Sequence, residues 1–296
     1  MTTSSKEVYL IVERKYKILT KIGEGTFGKI FKGVNINNNA KVAIKIEKAS
    51  ESKLLLNEAK IYKNLEDIKG IPRILSFGKE GLFNYLVIDL LDESLEELKH
   101  LCGGAMSLKC VLNIGLQLLT RIEDLHSAGL VHRDIKPDNF LIDRKTNIIY
   151  IIDFGLSKRY LDNSDNHLPE TTGRKLTGTA RYVSVNVHNG IAPSRRDDLE
   201  SIGYMLVYLL KGKLPWQKIS NPDKYKKYEL IGETNKNISL FEHFPDIPIE
   251  FITFLTYCRN MSFDDDPDYE YLRNVIITLY KHHGYDNDNK YDWNIM

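Results

Sequence analysis

The 296-residue sequence predicts an α+β protein in two parts, a small antiparallel β-rich N-terminal part with one main helix and a larger, mainly helical C-terminal part. Two observations carry this. Over the first ~90 residues the apolar side chains come in short β-branched and aromatic runs. Beyond them they recur mostly at helical spacing. The length suits one large domain or two lobes sharing a cleft. We read residues 1–296 as a single domain, with an N-lobe over about 10–91 and a C-lobe over about 92–296.

In order, "YKILTKIG", "KIFKGVNI" and "KVAIKIEK" read as strands, and "NINNNA" before the third as a hairpin turn. "ESKLLLNEAKIYKNLE" spaces Leu54, Leu55, Ile61, Tyr62 and Leu65 as a helix. "NYLVIDLL" is a further strand. Helical patterns follow in "SLEELKHL" and "LKCVLNIGLQLLTRIEDLHSAG", where Gly129 suits a C-cap. Periodicity fails from Leu156 to Pro193, a length at which loops are usually functional or disordered. "DDLESIGYMLVYLL" then resumes as an almost wholly apolar, buried helix.

Lys plus Arg number 41 against 40 Asp plus Glu, a balance that argues against a dedicated nucleic-acid binder. The three cysteines form no CxxC pair or Cys/His array, which suits buried thiols in a reducing compartment. The N-terminus carries neither a signal-peptide core nor a Gly at position 2, and no apolar run approaches the roughly 20 residues that cross a bilayer. The expectation is a protein of the cytoplasm, with nuclear entry open, free of membrane and nucleic acid, and monomeric.

The stretch Ile22, Gly23, Glu24, Gly25, Thr26, Phe27, Gly28, Lys29, Ile30 contains G-x-G-x-x-G, a weak signal alone. It leads into a strand rather than a helix, so its glycines sit at the bend of a β-hairpin. A lid without Cβ atoms there can bring backbone N–H groups close to phosphates; a tight hairpin that merely needs glycine fits the same residues. Lys45 in "VAIK" has the spacing of a phosphate-pairing lysine. Glu58 falls in the apolar stripe with Leu54, Ile61 and Leu65, so its carboxylate needs a cation, and Lys45 is the natural partner.

"HRDIKPDN" (132–139) and "YIIDFG" (150–155) put further polar groups beside apolar runs. Asp153 ends a strand-like run; with Asn139 it supplies hard oxygen ligands suited to Mg²⁺. Asp134 is left to accept a hydroxyl proton, and Lys136 to balance the charge of a transferring phosphoryl group. Each piece alone could be a turn Asp or a loop Asn, but five elements in this order resemble a protein kinase from Tyr16 to about Asp268. The resemblance implies ATP and Mg²⁺ as cofactors and the bilobal kinase fold, with ATP in the cleft between the lobes. A scaffold that binds nucleotide without catalysis is the rival; such chains usually lack the Lys, the base or the metal Asp, all present here.

Ordinary kinases close the activation loop with A-P-E, absent here. The segment from Leu176 to Gln217, with "HRDIKPDNFL", "GIPRI" and "FDDDPDYEYLR", resembles the casein kinase I family over about Lys15 to Trp293. In that family Ser-Ile-Asn replaces A-P-E; here it is Ser184, Val185, Asn186. The resemblance implies a Ser/Thr kinase active without loop phosphorylation and preferring protein substrates with acid or phosphate about three residues before the target. Arg181, Lys227 and Gly178 match the family's anion site, and Arg174 and Lys175 lie in the same loop, where solvated cations are equally ordinary. The resemblance also puts Ile88 at the back of an adenine pocket, backbone groups of Asp89 and Leu91 on adenine, and Ile22, Ile30, Ala43, Leu141 and Ile152 around the ring; core packing explains those apolar residues as well. Asp198 would bond the backbone near His132 and Arg133. Three departures stand out: Val185, Lys218 in place of a glycine, and Asp92–Glu93 in place of Gly-Pro, which makes that mouth more acidic. Relatives carry autoinhibitory phosphorylation sites in a tail; none follows "YDWNIM", so constitutive activity is expected.

Overall fold

The computed structural model describes residues 10–25, 28–50, 54–237, 242, 244, 246–286 and 288–294. The chain divides into two compact units. Unit 1 is Met1–Asp92 with Ile152–Gly155; unit 2 is Glu93–Ile151 with Leu156–Met296.

Unit 1 is built on one antiparallel sheet of six strands, in the order β1-β2-β3-β4-β6-β5. The strands are β1 (Ile11–Val12), β2 (Tyr16–Gly25), β3 (Gly28–Asn35), β4 (Lys41–Lys48), β5 (Ile74–Glu80) and β6 (Phe83–Asp89). The three-asparagine turn holds because Asn39 takes φ +58°, a region Asn tolerates, and donates to Asn35 O. Side chains alternate across each strand. Val42 and Ile44 of β4 therefore enter a core with Tyr16, Ile18, Tyr85 and Val87, while Ala43 and Lys45 face the other way. Helix α1 (Leu54–Asn64) buries Leu55, Glu58, Ala59 and Tyr62. Its buried stripe is thus turned from the expected one: Leu54 and Ile61 are only half-buried, yet Glu58 stays inside. Strand β5 was not evident in the sequence; all of it is partly or fully exposed at the sheet edge, so its alternation is blurred.

Unit 2 contains α2 (Leu95–Leu101), α3 (Leu108–Ser127), β7 (Leu130–Val131), the hairpin β8 (Phe140–Asp143) and β9 (Ile148–Ile151), and β10 (Lys158–Arg159). It continues with α4 (Val185–His188), α5 (Arg195–Lys211), α6 (Lys224–Asn237), α7 (Ile249–Asn260) and α8 (Tyr269–His282). Helix α5 is packed between α3 and α7. Gly129 lies one residue beyond the α3 cap at φ +76°, where glycine is unstrained. Between Leu156 and Pro193 only β10 and the one-turn α4 are regular. No described helix is long and apolar enough to cross a membrane.

Candidate active site

The placement of the expected site residues in unit 1 begins with cross-strand register. Ile30 pairs with Lys45, Gly23 with Ile30, and Ala43 with Ile88, so Gly23, Ile30, Ala43, Lys45 and Ile88 share one sheet face. Ile30, Ala43 and Ile88 remain partly open to solvent, whereas Val42, Ile44 and Val87 on the opposite face are closed. Ile22 is 51% exposed, so core packing does not account for it. Of Asp89, the N–H is already donated to Arg73 O at 3.2 Å and the carboxylate takes the Arg73 guanidinium at 2.9 and 3.1 Å. Only its carbonyl is left for a base. Leu91 and Ile152 are half-buried. Gly25 and Gly28 pair across the hairpin bend. A Cβ on Gly28 would lie 2.5 Å from Ile46 O, so glycine is required there by close backbone approach. Glu24 and Lys29 are exposed on the two strands; Thr26 and Phe27 lie outside the described residues.

Lys45 Nζ donates to Glu58 Oε2 at 2.7 Å and to Asp153 Oδ1 at 2.8 Å. Burial alone would discharge this ammonium, but the two carboxylates outweigh it and hold its pKa above the usual lysine range. Burial pushes Glu58 up to about 7, against the pull of Lys45 and helped by the negative charge of Asp153. Asp153 sits at φ +64°, a strained conformation for a side chain of its kind. Two contacts hold it: its N–H donates to Tyr62 Oη at 3.1 Å, and Tyr62 meets Phe154 edge-on at 4.8 Å. Tyr62 is the positioning residue that sequence reasoning missed. Its one signal was a place four residues after Glu58, on the same helix face.

Unit 2 carries the remaining expected residues. Asp134 is buried, and its carboxylate accepts from Lys136 Nζ (2.8 Å), Thr179 Oγ1 (2.8 Å) and Asn139 Nδ2 (3.3 Å). Asn139 Nδ2 also donates to Asp134 O at 2.9 Å, which turns the amide oxygen away from Asp134. Thr179 had no signal in the sequence; it becomes a partner only because Gly178 brings the loop in. Gly178 has φ +92°, and a Cβ there would lie 2.4 Å from Arg133 O. Arg133 is itself at φ +70°. Asp198, fully buried at the start of α5, accepts from His132 N–H at 2.7 Å and Arg133 N–H at 2.9 Å, as the sequence suggested, with His126 Nε2 at 3.1 Å. Burial would raise its pKa, but His126 and these N–H groups hold it below the usual carboxylate range. Leu141, half-buried on β8, pairs with Tyr150.

The residues expected to hold substrate anions all lie on unit 2. Arg181 stacks on Tyr182 and Tyr208, and its carbonyl accepts from Trp216 Nε1 at 2.8 Å. Lys227 is half-buried on α6. Among the described residues neither has a carboxylate within ion-pair distance. Arg174 Nε donates to Thr171 at 3.1 Å, and Lys175 is exposed. Ser184 is fully buried, donates to Asp197 Oδ1 at 2.5 Å and accepts from Val187 N–H at 3.1 Å, capping α4. Glu93, one of the acidic departures, is held by Arg144 at 2.7 and 2.9 Å, so its charge is compensated.

Asp153 on unit 1 offers a carboxylate and Asn139 on unit 2 an amide oxygen, each a hard donor of the kind Mg²⁺ takes while keeping waters and phosphate oxygens. Among the described residues no cluster of three or more His, Cys, Asp or Glu side chains offers an all-protein metal cage. Residues 16–267 match the family described as protein kinase domain, and the chain belongs to that family. It is 43% identical over 99% of its length to "Casein kinase I homolog RAG8" of Kluyveromyces lactis, covering 56% of that protein. It is 44% identical over 97% of its length to "Casein kinase I homolog 2" of Schizosaccharomyces pombe, covering 67% of that one. Within the protein kinases its place is therefore the casein kinase I group.

Proposed function

We propose that this chain transfers the γ-phosphoryl group of ATP to Ser and Thr hydroxyls of proteins, prefers targets with acid or phosphate about three residues upstream, and works without phosphorylation of its own loop. The observation that carries the reading is Asp134, a buried carboxylate held by Lys136, Asn139 and Thr179, an acceptor ready for a hydroxyl proton. Lys45 supplies charge for the phosphates, kept in place by Glu58. Mg²⁺, for which Asp153 and Asn139 each offer a hard oxygen donor, would neutralise phosphate charge. Support for the substrate preference is the charge on Arg181 and Lys227, without carboxylate partners among the described residues. Support for activity without loop phosphorylation is that Thr179 and Ser184 tie the loop to Asp134 and Asp197 by their own hydroxyls.

The test is a radiolabelled-ATP assay on peptides varied at the position three before the acceptor. Asp134→Asn should lower turnover at least about 100-fold while leaving ATP affinity within about threefold. Arg181→Ala with Lys227→Ala should erase the preference for a phosphorylated or acidic upstream residue. Wild-type turnover in the first variant, or wild-type preference in the second, would overturn the respective assignment.

A further inference from the structure

Arg181 makes an unusual set of contacts for a loop arginine. Its guanidinium lies 5.7 Å from the ring centre of Tyr182 and 5.6 Å from that of Tyr208. The two rings meet edge-on at 5.6 Å and 79°, forming a corner. Both tyrosines are buried, with 2% of their surface exposed, while Arg181 is only half-buried. The corner is itself secured from α2. Tyr208 Oη donates to Glu96 Oε1 at 2.8 Å and accepts from Lys99 Nζ at 3.1 Å, and Lys99 lies 4.4 Å above the same ring, buried to 3%. Trp216 fixes the Arg181 backbone from the other side. A free arginine side chain is rich in rotamers, and immobilising it on binding has an entropic cost. An arginine already laid on two rigid rings, with Nη1 donating to Tyr182 Oη at 3.4 Å, has lost that freedom in advance, while no carboxylate within ion-pair distance takes it among the described residues.

We propose that Tyr208, braced by Glu96 and Lys99, and Tyr182 are positioning residues for substrate choice, holding the Arg181 guanidinium ready for an upstream phosphate or carboxylate. The inference rests on the proposed role of Arg181 as an anion-binding residue. It assigns a specificity function to the Glu96 and Lys99 side chains, which belong to a different helix. Replacing the ring by an aliphatic chain removes one stacking contact, worth about two- to fivefold in affinity, and frees the rotamers, so about three- to tenfold in total is at stake.

The experiment compares a phosphoserine-primed peptide with the same peptide unprimed, in wild type, Arg181→Ala, Tyr208→Met and Tyr208→Phe. Tyr208→Met should raise KM for the primed peptide about three- to tenfold with kcat kept and the unprimed KM unmoved. Tyr208→Phe, which keeps the ring but loses the hydroxyl that Glu96 and Lys99 hold, should raise the primed KM above that of wild type but by less than Tyr208→Met. If Arg181→Ala lowers the preference and Tyr208→Met does not, the positioning role fails alone. If Arg181→Ala changes nothing, the anion-site reading fails with it. Should Tyr208→Met not fold, the wild-type protein decides: with ¹³C-labelled arginine, the Arg181 side-chain resonances should be displaced upfield by ring currents and move again when the primed peptide is added. Resonances at random-coil positions would overturn the proposal.

Discussion

Exchanging Asp198 for Asn probes how the catalytic loop is held, and its cost can be worked out from the contacts. The two backbone donors use different oxygens: His132 N–H reaches Oδ2 at 2.7 Å and Arg133 N–H reaches Oδ1 at 2.9 Å. An amide of the same shape has one acceptor. Whichever way it turns, its NH₂ faces one of the two N–H groups, donor against donor. One hydrogen bond to a charged acceptor is lost, about 1.5–3 kcal/mol, and a buried donor is left unmatched, about 1–3 kcal/mol. The two costs overlap, so we expect about 3 kcal/mol, a large share of the 5–15 kcal/mol typical of a domain. For a unit of about 200 residues, each kcal/mol moves Tm by about 2–4 °C, giving a fall of about 6–12 °C. The loss should appear locally first. Arg133 is held at φ +70° by this carboxylate, so the amides of His132 and Arg133 should exchange with deuterium sooner than those of α3 or α5. Calorimetry with residue-resolved hydrogen exchange makes the measurement. A variant melting within about 1 °C of wild type, with both amides equally protected, would refute the reasoning.

Two further outcomes follow. Glu58 has a folded pKa of about 7 against an ordinary 4.5, so the native state binds its proton more tightly than the unfolded chain does; that stabilisation is full below about 4.5 and lost as pH rises through about 7. Wild type should therefore lose ground in Tm to Glu58→Gln between pH 5 and 8, and a constant difference would contradict this. Gly178→Ala forces a side chain into φ +92° with its Cβ 2.4 Å from Arg133 O; a loss of about 1–3 kcal/mol and a fall in kcat are expected, and unchanged melting and turnover would show that the loop yields without consequence.

The site was legible in the sequence where chemistry is carried by residue type and local spacing. Lys45 and Glu58 could be paired because a carboxylate inside an apolar stripe needs a cation, and the pair stands at 2.7 Å even though the helix buries a neighbouring stripe. What stayed hidden was pairing over long sequence separation. Tyr62 looked like one more apolar helix residue until its hydroxyl met Asp153 N–H, 91 positions away. Tyr208 read as part of a greasy helix, and its contacts with Lys99 and Glu96 span 109 and 112 positions. The start of α5 is the sharpest case. The stretch from Asp197 to Leu210 reads as buried for its apolar residues, and it is buried up to Leu209, but the charged Arg195, Arg196, Asp197, Asp198 and Glu200 are buried as well. No periodicity announces that, because each charge is tolerated only by a partner supplied from elsewhere in the chain.

Those partners explain how the loop can end without A-P-E. Desolvating five charged side chains at one helix start is costly unless each is compensated. Arg195 is met by Asp266 and by Asp264 O, Arg196 by Met261 O and Glu170, and Glu200 by Arg259. The remaining two acids are answered by the loops of the site: Asp197 by Ser184 and Ser194 N–H, Asp198 by His132, Arg133 and His126. Each acid is thus satisfied only when its loop is in place, and each loop is anchored only when the helix start is buried. Folding of unit 2 and ordering of the catalytic and activation loops are then one event. A phosphate on Ser184 would set its charge against Asp197, the acid that now accepts that hydroxyl's hydrogen bond. It follows that mutations at the α5 start should act on turnover and stability together, whereas those at Arg181 should act on substrate choice alone.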